Sequence, residues 1–399
     1  MMRLLWVKAG KLLPVDTGGK IRSFNILRHL ATRHELTLLS YYHGARDERY
    51  EEDLGREFPG AVVVAVTERS GQAQQALHYA RRFPMAAPYS VSKFTSAEVR
   101  GRLADVIAKR TPQVTVCDFL AASLNFPPRP VTPSVLFQHN VESALWQRQA
   151  RHESNLAKRA VFRVEAAKMY RYETAALGRF HHVIAVSDHD RTLMTQMAPQ
   201  TEITVVPTGV DVALYRRGDA PLPSRPLVMF LGSMDWPANI DGVEFFCERI
   251  WPRVIAKVPE AKFQVVGRNP PPRIRRLGSA SVEIVGGVTS VLPHLHNAAV
   301  FVVPLRIGGG TRLKIYEAMA AALPIVSTRV GAEGLDVTDG KDIVLEDDPE
   351  HFAEALIALL QNGEKRITIG DAAAATAARF DWSVIATDFE SVLERVATQ

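Results

Sequence analysis

Short apolar runs rich in β-branched residues alternate along the whole chain with longer stretches in which apolar positions recur every three to four residues. That alternation marks parallel strands covered by helices on both faces, so the fold class is α/β. In the first half, strands are expected at Arg3–Lys8, Glu35–Tyr42, Ala61–Thr67, Gln113–Asp118, Ser134–Gln138 and His182–Ser187. Helices fall between them, including Gly19–Thr32, Thr95–Lys109 and a long Glu142–Leu177. The polar, proline-rich stretch "YRRGDAPLPSRP", Tyr215–Pro226, breaks the pattern and reads as a linker. A second series follows, with strands at Leu227–Gly232, Lys262–Gly267, Val282–Gly286, Val300–Leu305 and Pro324–Thr328. Two doubly wound, Rossmann-like domains are therefore expected, residues 1–210 and 211–379, facing each other across a cleft that holds the ligand.

The 399 residues suffice for two cores, and 47% hydrophobic with 23% charged residues excludes a disordered or fibrous chain. No stretch approaches the roughly 18–20 apolar residues of a membrane span, and Lys8 interrupts the first apolar run, so neither a span nor a signal peptide is expected. Cys117 and Cys247 form neither a disulfide framework nor a zinc pattern, which fits a reducing cytoplasm. The net charge of +5 conceals an asymmetry: residues 1–200 carry 28 Lys and Arg against 18 Asp and Glu, the remainder 20 against 25. A basic half implies an anionic partner, either a phosphorylated substrate or a membrane surface. Nucleic acid is not expected, because no recognised module or basic run accompanies the charge.

Between Trp146 and Tyr172 lie Arg148, Arg151, Lys158, Arg159, Arg163, Lys168 and Arg171 against Glu153 and Glu165. Such a segment can rest peripherally on the anionic inner face of a membrane, or it can be a solvated helix face whose apolar residues serve the core.

The segment "VVPLRIGGGTRLKIYEAMAAALPIVSTRVGAEGL", Val302–Leu335, carries the most chemistry. A strand ends at Leu305, Gly308, Gly309 and Gly310 follow, and a helix is expected from Thr311 to Ala321. Glycines ahead of a helix let backbone N–H groups approach an anion, and the helix N-terminus adds positive potential. Arg306, Arg312 and Lys314 flank this nest, as if for a diphosphate; a plain strand-to-helix turn with solvated charges would look alike. Glu317 lies one turn beyond Lys314 on an apolar helix surface, where it needs partners such as sugar hydroxyls or Lys314 itself.

With these residues the segment resembles the donor site of family 4 retaining glycosyltransferases of the two-domain GT-B fold, and the resemblance extends over nearly the whole chain. It implies that helix amides, including those near Leu313, hold the diphosphate and that Glu317 holds the ribose. The sequence departs from the family at Gly309, where the first glutamate of an E-x7-E pair is usual, so the donor hexose falls to backbone amides and Arg306. In "FLGSMDWPANIDGVEFF", Phe230–Phe246, Ser233 and Asp241 stand where an arginine and a lysine are usual, leaving Arg268 and Lys314 as substitutes.

In the first half, "PVDTGGKIRS" places Gly18 and Gly19 at a helix start, similar to the family's glycine loop; no G-x-G-x-x-G accompanies it. "FQHNVES" sets His139, Asn140 and Glu142 at the carboxyl end of a strand, and the resemblance puts the histidine close to the transferred sugar. "VVPTGVD", with Thr208 and Gly209, is similar to the family's domain-crossing motif or is a plain turn. The final "FDWSVIATDFESVLERV" resembles its terminal helix, residues 380–399, returning to the first domain. "DHD", Asp188–Asp190, mimics a metal motif but suits a helix N-terminus, so no metal or other cofactor is expected.

The resulting expectation is a hexosyltransferase that takes a nucleotide sugar and a glycan or lipid-linked acceptor. Retention with the leaving phosphate as base is implied by the resemblance, while Asp16 or His139 would serve as base for inversion. A nucleotide-sugar epimerase of the same fold and a non-catalytic subunit of a glycan-assembly complex are the alternatives.

Overall fold

Strands whose every residue is buried, such as Val114–Asp118 and Val300–Val303, belong in parallel sheets covered on both faces. The computed structural model describes residues 1–66, 79–153, 155–218, 223, 225–307 and 313–398, and its contacts divide the chain into two units. One comprises Met1–Pro207 with Ile385–Gln399; the other comprises Thr208–Val384.

The first unit holds a parallel sheet of order β3-β2-β1-β4-β5-β6-β7. Its strands are β1 Arg3–Ala9, β2 Glu35–His43, β3 Val62–Val66, β4 Val114–Asp118, β5 Ser134–Phe137, β6 His182–Ala185 and β7 Ile203–Val205. The second holds β10-β9-β8-β11-β12-β13, with β8 Leu227–Leu231, β9 Lys262–Val266, β10 Val282–Gly286, β11 Val300–Val303, β12 Ile325–Ser327 and β13 Val344–Leu345. In each sheet the chain leaves one inner strand to one side and its neighbour to the other. The reversal lies between β1 and β4 in the first sheet and between β8 and β11 in the second, and ligands of such folds bind at the carboxyl ends beside it.

Several expectations are corrected here. Glu142–Leu177 is two helices, Glu142–His152 and Leu156–Leu177, because Asn155 is extended and its side chain accepts from Lys158 N at 3.1 Å, capping the second helix. Tyr215 closes a short helix, Val212–Tyr215, of the second unit and hydrogen-bonds within it, so the linker reading fails at its first residue. The contact division falls at Pro207/Thr208 and again at Val384/Ile385, inside helix Trp382–Ala397. Residues 208–210 join the second unit because Val210 exchanges backbone hydrogen bonds with Phe380 and Trp382. Further along that helix, Phe389 packs on Trp6 and Phe137 of the first unit, with ring centroids 5.4 and 5.0 Å away. Among the described residues no helix is long and apolar enough to cross a membrane.

Candidate functional site

At the reversal of the first sheet the register sets Lys8 of β1 beside Asp118 of β4. Asp118 is fully buried, and its Oδ2 accepts from Lys8 Nζ and Trp6 Nε1, each at 3.0 Å. Its Oδ1 is 2.8 Å from His139 Nε2, and Arg22 lies 2.9 Å from the other ring nitrogen. Burial alone would raise the carboxyl pKa, but Lys8, His139 and Trp6 together hold it below the usual carboxylate range. Burial pushes His139 down to about 3, against the pull of Asp118.

These partners dictate the tautomer. An ionised carboxylate only accepts and a guanidinium only donates, so His139 is neutral, with its proton on Nε2 and its Nδ1 lone pair given to Arg22. Only 2% exposed, it has no lone pair left for an incoming hydroxyl until Arg22 moves. Asp16, the other candidate base, is 41% exposed and paired with Lys20 at 2.9 Å.

Gly18 opens helix Gly18–Ala31, and Gly19 is required by packing. A Cβ at Gly19 would lie 2.4 Å from Phe119 Cζ, and the Phe119 ring is stacked on His139 at 3.6 Å between centroids. Because the ring is backed by the imidazole, Gly19→Ala is expected to cost about 1–3 kcal/mol by overpacking. An unchanged urea midpoint would show that the ring gives way freely.

Asn140 has no hydrogen-bond partner among the described residues. Glu142 begins helix Glu142–His152, whose cap position is Val141; Glu173 supplies the missing cap by accepting from the N–H groups of Glu142 and Ser143, each at 2.9 Å. Burial, then the neighbouring Glu173, pushes the Glu142 carboxyl up to about 7. Asp188 and Asp190 occupy the first turn of helix Asp188–Met197: Ser187 caps it, Asp190 bonds Ser187, and Asp188 pairs with Arg191. Among the described residues no group of three or more His, Cys, Asp or Glu is placed to hold a metal ion.

At the reversal of the second sheet, helix Leu313–Ala320 follows β11 and directs Lys314 towards the end of β8. Lys314 Nζ donates to Asn239 Oδ1 at 3.0 Å and stands 4.4 Å from the Phe230 ring centroid. It also lies 2.8 Å from where a Cβ at Gly232 would project. Asn239 in turn donates to the Ser233 carbonyl at 2.7 Å, so one amide fixes both the lysine and the loop after β8. Glu317, one turn on, accepts from Tyr215 Oη at 2.9 Å, and burial raises its pKa against the pull of Tyr215 and Lys314.

Two expected cations carry carboxylate partners already. Arg306 forks onto Asp241 at 2.5 and 3.1 Å, and Arg268 reaches Asp235 and the Ser233 hydroxyl at 3.2 Å each. Asp241, standing where the family usually has a lysine, thus offsets the charge of Arg306. A diphosphate would have to displace these carboxylates. Thr208 is buried, and Gly209 lies against Trp382, whose indole would sit 2.5 Å from an added Cβ. Gly308, Gly309, Gly310, Thr311 and Arg312 fall outside the described residues.

Residues 225–362, which contain Ser233, Asn239, Arg268, Lys314 and Glu317, match the family described as Glycosyl transferases group 1. The second unit carries a group 1 glycosyltransferase domain. Among curated proteins, the phosphatidyl-myo-inositol mannosyltransferase of Mycolicibacterium smegmatis is 28% identical over 238 residues, 57% of this chain and 59% of that protein. The protein of the same name from Mycobacterium leprae is 30% identical over 227 residues, 54% of this chain and 59% of its own length. The chain thus spans about three fifths of the length of these relatives. In architecture it is similar to Anabaena Alr3699/HepE, solved in complex with UDP and glucose, with a TM-score of 0.64 and 15% identity over 99% of this chain and 100% of that one. The fold is the two-domain α/β fold of GT-B glycosyltransferases.

In the second unit, Tyr215 and Asn239 are the residues that sequence reasoning missed. Tyr215 was hidden in an apparent linker. Asn239 was legible as the first residue of Asn-x-x-Gly, but its hold on Lys314 needs 75 residues of separation to be closed by the fold. In the first unit Lys8, Arg22 and Asp118 were missed, although Asp118 ends an expected strand.

Proposed function

We propose that the chain is a glycosyltransferase that moves a hexose-type sugar from a nucleotide-diphosphate donor to a glycan or lipid-linked acceptor, with retention. The observation that carries this reading is the convergence of Lys314, Asn239, Ser233 and Glu317 at the strand reversal of a group 1 glycosyltransferase domain. Breaking a sugar–phosphate bond builds charge on the leaving diphosphate, and fixed cations and amides lower that barrier most. Lys314 is the cation held in place for this role, and Glu317 keeps Oε2 without a partner among the described residues, ready for ribose hydroxyls.

Retention follows the family resemblance: front-face attack with the leaving phosphate taking the acceptor proton requires no carboxylate at position 309. Lys314, held by Asn239, supports a donor site that works without metal. The names of the mannosyltransferase relatives support a lipid-linked acceptor, and the basic excess of residues 1–200 supports peripheral contact with the cytoplasmic face of a membrane.

A thermal-shift screen of nucleotide sugars in EDTA tests the donor site. The cognate donor at a hundred times its Kd should stabilise the protein by about 2.7 kcal/mol. Sugar transfer from that donor, followed by NMR, should persist in EDTA with the anomeric configuration kept. A chain that no nucleotide sugar stabilises, or that only isomerises its donor, is not the transferase proposed; activity recovered only with added magnesium or manganese would overturn the metal-free reading.

A further inference from the structure

A groove of about 720 Å³ runs between the two helices Glu142–His152 and Leu156–Leu177 of the first unit. Arg159, Arg163 and Tyr170 line it along one helix face at spacings of one and two turns, and Arg151 faces them from the other helix, with Arg171 at one end. Buried Ala150 and Ala166 form its floor. No carboxylate lines the groove among the described residues.

None of the four guanidinium groups has an ion-pair or side-chain hydrogen-bond partner among the described residues. The nearby carboxylate of Glu165 is spent elsewhere, on Lys168 at 2.9 Å and on the N–H of Tyr89 at 2.9 Å. Like charges one turn apart on a helix repel, so Arg159 and Arg163 oppose the fold that brings them together. An arginine cluster left unneutralised around a concavity raises a strong positive potential there.

We propose that this groove is a second anion site, separate from Lys314 and its neighbours, which binds a phosphate group carried on an organic body. Arginine forks match phosphate oxygens in pairs, which favours a phosphate over a single carboxylate. The volume exceeds what a bare ion fills and lies in the range of small-molecule sites. The alanine floor and the half-exposed Tyr170 ring offer an apolar surface to whatever the phosphate is attached to. A lipid headgroup and a soluble phosphate ester share this chemistry. Leu156 and Val164, 70% and 44% exposed on the same helix, set an apolar border beside the charges that a lipid would use and a soluble ester would not.

Isothermal titration of the full chain with glycerol 3-phosphate and with dihexanoyl phosphatidylglycerol below its micelle concentration tests the site. Saturable one-to-one binding is expected, weakened at least tenfold by Arg159→Glu with Arg163→Glu and unaffected by Lys314→Met in the other unit. Should the double reversal fail to fold, Arg163→Gln with Arg171→Gln provides the milder comparison, with weakening in the same direction. Equal affinity for both probes assigns a soluble phosphate ester, and tighter binding of the lipid assigns a headgroup; either supports the site. Absence of binding by the wild type at millimolar probe, or binding lost in Lys314→Met and kept in the arginine variants, overturns it. Because neither probe is a nucleotide sugar, this outcome is independent of whether the chain transfers sugar.

Discussion

Asp118→Ala is expected to destabilise the first unit by about 3–5 kcal/mol, since it strands Lys8 as a buried charge and removes the acceptor of Trp6 and His139. Chemical denaturation at neutral pH measures this directly. Lys8→Met combined with Asp118→Asn removes the stranded lysine charge and should recover part of the loss. The pH dependence has a defined sign. The folded pKa of Asp118 is depressed below its unfolded value of about 3.9, so its stabilisation is fully present above that value and is lost as pH falls through the folded pKa. The gap between wild type and Asp118→Ala should therefore be constant from neutral pH down to about 5 and close under stronger acid. A single-variant loss below about 1 kcal/mol would mean that the network is loosely held.

The second large effect is expected at the donor site. Glu317→Ala should lower kcat/KM for the nucleotide sugar roughly 10- to 100-fold, the cost of losing charged hydrogen bonds to the donor. The fold should survive, because the substitution removes a carboxylate that burial disfavours. Tyr215→Phe, which frees the carboxylate without deleting it, should cost less. Unaltered kcat/KM in Glu317→Ala would remove this residue from the donor site.

Architecture was legible in the sequence because both sheets are parallel and buried on both faces, so their strands stand out as β-branched runs. β13 escaped because two residues are too short to show a period, and β7 because its three residues are only half-buried at the sheet edge. The break between the two helices was signalled by Ser154 and Asn155, residue types that favour caps over helix interiors, but the apolar period on either side overrode them. Lys8 shows a different limit. Within its own segment it interrupts an apolar run as a surface lysine would, and only pairing with Asp118, 110 residues on, makes it a core residue. The same holds for Arg306 and Arg268: each is legible as a cation, while the carboxylate that occupies it comes from a distant part of the chain.

The return of helix Trp382–Ala397 to the first unit bears on how the chain is made. Trp6 and Phe137 leave the ribosome early, yet Phe389 arrives only after the whole second unit has been translated, an interval of roughly 10–40 s at about 5–20 residues per second. During that time the nascent first sheet carries an uncovered aromatic face. A fragment cut at Pro207 would keep that face exposed permanently, so a soluble excised first unit has to include the last helix, joined by a graft across the excision or added as a separate peptide.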